Sequence, residues 1–125
     1  MKRILALASI VFLASVPTVA GADYWDVIGI QLKAGCTMQK YLGIVADFQK
    51  WGAAHGYSAR IAVPVQSEDV STFYWEGTAK DAATFGAAWD AWRNAQADAN
   101  SVPAKLAARF GDCSVNKTRS GYDVY

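Results

Sequence analysis

Histidine is almost missing from this chain: there is one, His55, in 125 residues. Cysteine is nearly as scarce, with only Cys36 and Cys113. One imidazole and two thiols are too few donors for a closed zinc site. No D-x-D-x-D-G loop is present for calcium, and no glycine-rich loop for a phosphate. No G-x-S-x-G elbow is present for a serine nucleophile. Charge of one sign never accumulates, since 12 Lys and Arg stand against 11 Asp and Glu with no long block of either. A nucleic-acid partner calls for a basic stripe, and an anionic membrane surface calls for a basic amphipathic helix. Neither pattern occurs. No metal and no cofactor is implied.

Long apolar runs are also rare. The one that stands out, Ile4 to Val16, falls short of the ~20 residues a membrane span needs. Lys2 and Arg3 precede it, and Ala20-Gly21-Ala22 follows with small residues where a signal peptidase reads. Residues 1–22 therefore read as an export signal cut before Asp23, which predicts a periplasmic or secreted protein. No cysteine near the cut offers a lipid anchor, so no membrane insertion is expected after cleavage. The remaining residues, 23–125, are expected to form a single domain. Without Lys2 and Arg3, that part carries slightly more acid than base.

In an oxidising compartment two cysteines argue for a disulfide. The alternatives are a metal site, for which donors are short, or a reactive thiol. The five tryptophans, Trp25, Trp51, Trp75, Trp89 and Trp92, all follow the signal. They serve core and dimer packing, or else a stacking platform for a ring-shaped ligand.

Periodicity organises the rest. Trp25 to Lys33 alternates as a strand, and Ala34-Gly35 ends it. Thr37 can cap a helix from Met38 to His55, with Tyr41, Leu42, Val45 and Phe48 on one stripe. Gly56 stands where a left-handed residue ends a helix. Tyr57 to Gln66 reads as a second strand, which Pro64 confines to an edge or a bulge. Thr72 to Thr78 is a third, aromatic-rich strand, joined to the second as a hairpin. Thr78 or Asp81 can cap a helix carrying Phe85, Ala88, Trp89 and Trp92. That helix breaks near residues 98–101, and Ser101 with Pro103 starts another, stopped at Gly111. Ser114 to Tyr125 reads as a last strand.

The order β-α-β-β-α-β is the split βαβ, ferredoxin-like arrangement. The expected fold is α+β, with a four-stranded antiparallel sheet and the helices on one face. The last strand then pairs with the first, which brings Cys36 and Cys113 to one corner of the sheet. Compartment and topology agree on the disulfide.

The other sheet face is bare in a monomer. Alternation places Val27, Gly29 and Gln31 on it, with Ser58, Arg60 and Ala62, and Tyr74, Glu76 and Thr78. Lys117, Arg119 and Asp123 join them if Tyr122 and Val124 face the helices. Arg60 and Glu76 read as a cross-strand ion pair. Alternatively they anchor a small polar ligand, with Gln31 and Tyr74 beside them, Arg60 gripping a carboxylate. His55 reads as a helix C-terminal cap that suits the dipole, or as a general base or haem ligand. Asn116-Lys117-Thr118 matches a glycosylation sequon, but it falls in a strand.

Mature length, strand and helix order, and the stretch TFYWEGTAKDAATFGAAWDAW resemble the dimeric α/β-barrel superfamily. The resemblance implies a homodimer packed through its sheets. It assigns no reaction. Haem-handling members need a placed histidine; the only one here is His55, at a helix end, and no catalytic residue is carried over. Three functions stay open on these grounds. The first is an exported module binding a small molecule in a cavity between two sheets. The second is an enzyme of the cofactor-free monooxygenase type acting on a small aromatic substrate. The third is a protein-interaction module using an exposed aromatic surface.

Overall fold

A computed structural model describes residues 21–125. The expected export signal therefore lies outside the described residues, save for Gly21 and Ala22. The elements follow as β1 (Asp23–Leu32), α1 (Met38–Ala53), β2 (Tyr57–Ala62), β3 (Phe73–Ala79), α2 (Ala82–Ala95), α3 (Val102–Cys113) and β4 (Ser114–Val124). The sheet is four-stranded in the order β2-β3-β1-β4, with every pairing antiparallel. This is the ferredoxin-like α+β fold.

Local chemistry sets the element boundaries. Thr37, Asp81 and Ser101 each take an extended backbone and accept a hydrogen bond from the amide three residues on, capping α1, α2 and α3. Residues 96–101 separate α2 from α3, as the turn residues there predict. Several boundaries shift from expectation, and two of the shifts have a clear physical reason. Strand β2 stops at Ala62 rather than Gln66: it is an edge strand, and Pro64 has no N–H to extend the ladder. Helix α3 runs through Gly111 to Cys113, where the fully buried Cys113 bonds to Cys36. The Lys33 ammonium donates to the Gly111 carbonyl and satisfies one open carbonyl of that last turn.

The core lies between the sheet and the helices. Ile28, Ile30, Phe73 and Trp75 point up from the sheet, and Tyr41, Ile44, Val45, Phe48, Trp92 and Leu106 point down from the helices. Phe48 sits at its centre, edge-on to Trp75 at 4.8 Å and to Trp92 at 5.4 Å between ring centres. Both separations fall in the range of favourable aromatic pairs.

The last strand corrects the sequence reading. Strand β4 breaks register between Gly29 and Ile30 of β1: Gly29 faces Thr118, and Ile30 faces Asn116. Lys117 is the extra residue of a bulge. Pairing of Ile28 with Arg119 and of Tyr24 with Asp123 puts both charged residues on the helix side. Tyr122 and Val124, paired with Trp25 and Asp23, take the open face. Alternation has a period of two, so a one-residue error inverts every assignment. The open-face placement of Arg119 and Asp123 required Tyr122 and Val124 to face the helices, and they do not.

Candidate functional site

Asp26 occupies an inward position of β1, in phase with Ile28 and Ile30, and is only 2 % exposed. An isolated carboxylate there would be very costly, so its partners decide whether it is tolerated. It has three hydrogen bonds. Arg119 donates twice, from Nε to Oδ1 and from Nη2 to Oδ2, both at 2.8 Å. The Tyr57 hydroxyl donates to Oδ2 at 2.9 Å. The Trp75 indole N–H donates in turn to the Tyr57 oxygen at 2.8 Å. Four strands thus supply one residue each to a continuous chain. No buried side-chain N or O among the described residues lacks a partner.

Two features of the sequence make room for this chain. Gly77 lies beside Tyr57, and a Cβ there would stand 1.7 Å from the Tyr57 hydroxyl oxygen. The bulge at Lys117 supplies the second, by turning Arg119 inward. Trp89 of α2 covers the guanidinium, whose carbon lies 4.2 Å from the indole centre, a cation–π distance.

Electrostatics fix the protonation of two members. Burial pushes the Tyr57 hydroxyl well above the ordinary tyrosine range, and the Asp26 carboxylate beside it pushes it further. Burial alone would weaken the charge on Arg119, but the bonds and charge of Asp26 outweigh it and hold its pKa above the usual value. At neutral pH Tyr57 is a neutral donor and Arg119 is a cation.

The chain of polar groups borders a cavity of about 350 Å³ between the sheet and the helices. Its walls are largely aromatic: Phe48, Trp51, Trp75, Phe85, Trp89, Trp92 and Phe110 all contribute. The lining side chains of β1 and β3 are buried, whereas Gly111, Asn116 and Arg119 are exposed. The mouth therefore lies along β4, the edge that the helices leave open. A ring-bearing molecule of modest size fits such a volume.

The four residues singled out in the sequence lie elsewhere. Gln31, Arg60, Tyr74 and Glu76 are on the face opposite the helices, and none lines the cavity. Arg60 bonds Glu76 at 2.6 Å, the cross-strand ion pair expected there, and lies 5.7 Å from the Trp25 ring centre. Gln31 donates to Ser71 and Thr72. Tyr74 is 40 % exposed. His55 caps α1 as anticipated: Nδ1 donates to the Trp51 carbonyl at 2.9 Å, and its ring stacks on Trp51. Among the described residues no cluster of three or more acidic, histidine or cysteine side chains could hold a metal.

Asp26 escaped the sequence reading although its signal was present. An acid at an inward position of a buried strand needs a partner. Arg119 gave no such signal, because its facing depends on the bulge.

No family model matches the chain, and no curated protein matches it. Solved structures do match. SnoaB, a cofactor-independent oxygenase from Streptomyces nogalater, is 10% identical with a TM-score of 0.57, over 83% of this chain and 94% of its own. The hydroxynitrile lyase from Passiflora edulis is 15% identical with a TM-score of 0.55, over 84% and 95%. At such identities the likeness is one of fold alone.

Proposed function

We propose that this protein binds a small, ring-bearing, largely apolar molecule in the cavity between its sheet and its helices. The observation that carries the reading is the cavity itself, about 350 Å³, walled by aromatic rings with one cation, Arg119, at its mouth. Aromatic walls suit a planar ligand, and a single polar anchor fixes its orientation. The chain Trp75–Tyr57–Asp26–Arg119 favours binding over acid–base chemistry. Both Asp26 oxygens accept hydrogen bonds, and Tyr57 stays protonated.

The test is cavity filling. Indole should raise the melting temperature of the wild type, because a ligand of the folded state stabilises it. Ala107 lines the cavity and is half-buried. Ala107→Trp should remove that shift while the protein remains folded. An unchanged shift in a folded variant would place the ligand elsewhere.

One observation favours an enzyme on the same cavity. SnoaB, of similar fold, is a cofactor-independent oxygenase, so this scaffold supports reactions run by the chain's own residues. Turnover of an aromatic substrate with oxygen uptake would separate that reading from simple binding.

The proposal includes export and a homodimer. Export rests on the apolar run of residues 4–16 and on the Cys36–Cys113 bond. No helix among the described residues is long and apolar enough to cross a membrane. The dimer rests on the uncovered sheet face, where Tyr74, Val115 and Tyr122 are exposed. Two such faces packed together would enclose Gln31, Arg60, Tyr74 and Glu76, and any second ligand cavity would lie there.

A further inference from the structure

We infer that the ligand of the helix-side cavity presents an uncharged hydrogen-bond acceptor, such as a carbonyl, to Arg119, and that the cavity rejects carboxylates. The inference rests on the cavity being the binding site, and it names the ligand's chemical class.

Charge balance carries it. Of the residues lining the cavity, only Asp26 and Arg119 are ionic. They are bonded to each other through two hydrogen bonds, so the pair is neutral overall. Tyr57 adds no charge, because its hydroxyl stays protonated on Asp26. A carboxylate ligand would bring a second anion to one cation already paired. In a site of low polarity, two carboxylates sharing one counter-charge repel, and desolvation adds to the cost. A neutral acceptor meets no such repulsion.

Geometry supplies the donor. Arg119 spends Nε and Nη2 on Asp26, and Nη1 has no hydrogen-bond partner among the described residues. Trp89 covers the guanidinium plane, so a ligand meets the edge instead. An N–H at that edge donates to an oxygen in a charge-assisted hydrogen bond, stronger than one between two neutral groups. The aromatic walls beside it receive the ring.

Benzamide and benzoate make a matched pair of nearly equal shape. Titrate both into the purified protein at pH 7 and constant ionic strength, reading heat and tryptophan fluorescence. Benzamide should bind at least tenfold more tightly than benzoate. In Asp26→Asn the negative charge is gone and Arg119 is unpaired. Benzoate should then gain at least tenfold relative to benzamide, provided circular dichroism shows a folded chain. Where that variant does not fold, the wild-type comparison alone decides. Benzoate binding as well as benzamide to the wild type overturns the inference and leaves the cavity reading intact. Failure of benzamide, benzoate and indole alike overturns both.

Discussion

Removing the Tyr57 hydroxyl asks how far hydrogen bonding holds the buried cluster together. In Tyr57→Phe the Trp75 N–H loses its acceptor and Asp26 loses a donor. An unsatisfied buried group costs about 1–3 kcal/mol, so denaturant unfolding should show a loss of that size. Gly77→Ala should do at least as much harm, because its Cβ and the Tyr57 hydroxyl cannot share the space. A Gly77→Ala protein as stable as wild type would show that Tyr57 shifts at no cost and that its bonds to Asp26 and Trp75 add little to stability. Tyrosine ionisation gives a separate check. Burial raises the pKa of Tyr41 and Tyr57. The unfolded chain then loses these protons first, so their contribution is full below about pH 10 and is lost as pH rises beyond it. In an alkaline absorbance titration, Tyr41 and Tyr57 should ionise only as the protein unfolds. Ionisation of both in the folded state would contradict the burial argument.

Among the elements, β1 and β4 show where sequence reasoning works and where it stops. Period two put Ile28 and Ile30 inside and Gln31 outside, and the sheet agrees. Asp26 shares that inward phase and is buried, although the sequence reading passed over it. Strand β4 is an edge strand with polar residues on both faces, so hydrophobicity did not choose between two registers. The bulge at Lys117 chose, and it depends on pairing with β1 rather than on local sequence. Caps were easier to read, because Thr37, Asp81 and Ser101 act on neighbours three residues away. The disulfide was legible through topology. Helix α3 carries Phe110 and Gly111 at the cavity wall and ends at Cys113, whose Cα lies 5.2 Å from that of Cys36. The bond closes a separation of 77 residues, worth about 4 kcal/mol in the chain-entropy model. Replacing both cysteines with serine should lower the melting temperature by an amount on the order of 15 °C. A change of only a degree or two would mean that α3 is held by packing alone.

At the scale of the whole molecule, the described residues cover one sheet face and leave the other uncovered. Layered folds bury an apolar face against a second layer, and the uncovered face here mixes Trp25, Val27, Tyr74 and Tyr122 with the Arg60–Glu76 pair. Sedimentation at tens of micromolar should report a dimer, and Tyr74→Glu should shift it toward monomer. A wild-type monomer at those concentrations would leave the exposed aromatics unexplained and refute the dimer. The two faces also make rival homes for a ligand. The sequence pointed to the open one, through Gln31, Arg60, Tyr74 and Glu76, because paired charges on facing strands are visible in a pattern of two. The cavity was not visible, since it exists only where α2, α3 and the bulged β4 meet.

The indole N–H resonances distinguish these two faces directly. Trp25 lies on the open face under Arg60, whereas Trp51, Trp75, Trp89 and Trp92 line the cavity. In a nitrogen-15 titration with benzamide, the Trp75 and Trp89 signals should move in a saturable manner while Trp25 stays fixed. Movement of Trp25 with Trp75 and Trp89 unchanged would place the binding site on the open sheet face and contradict the account.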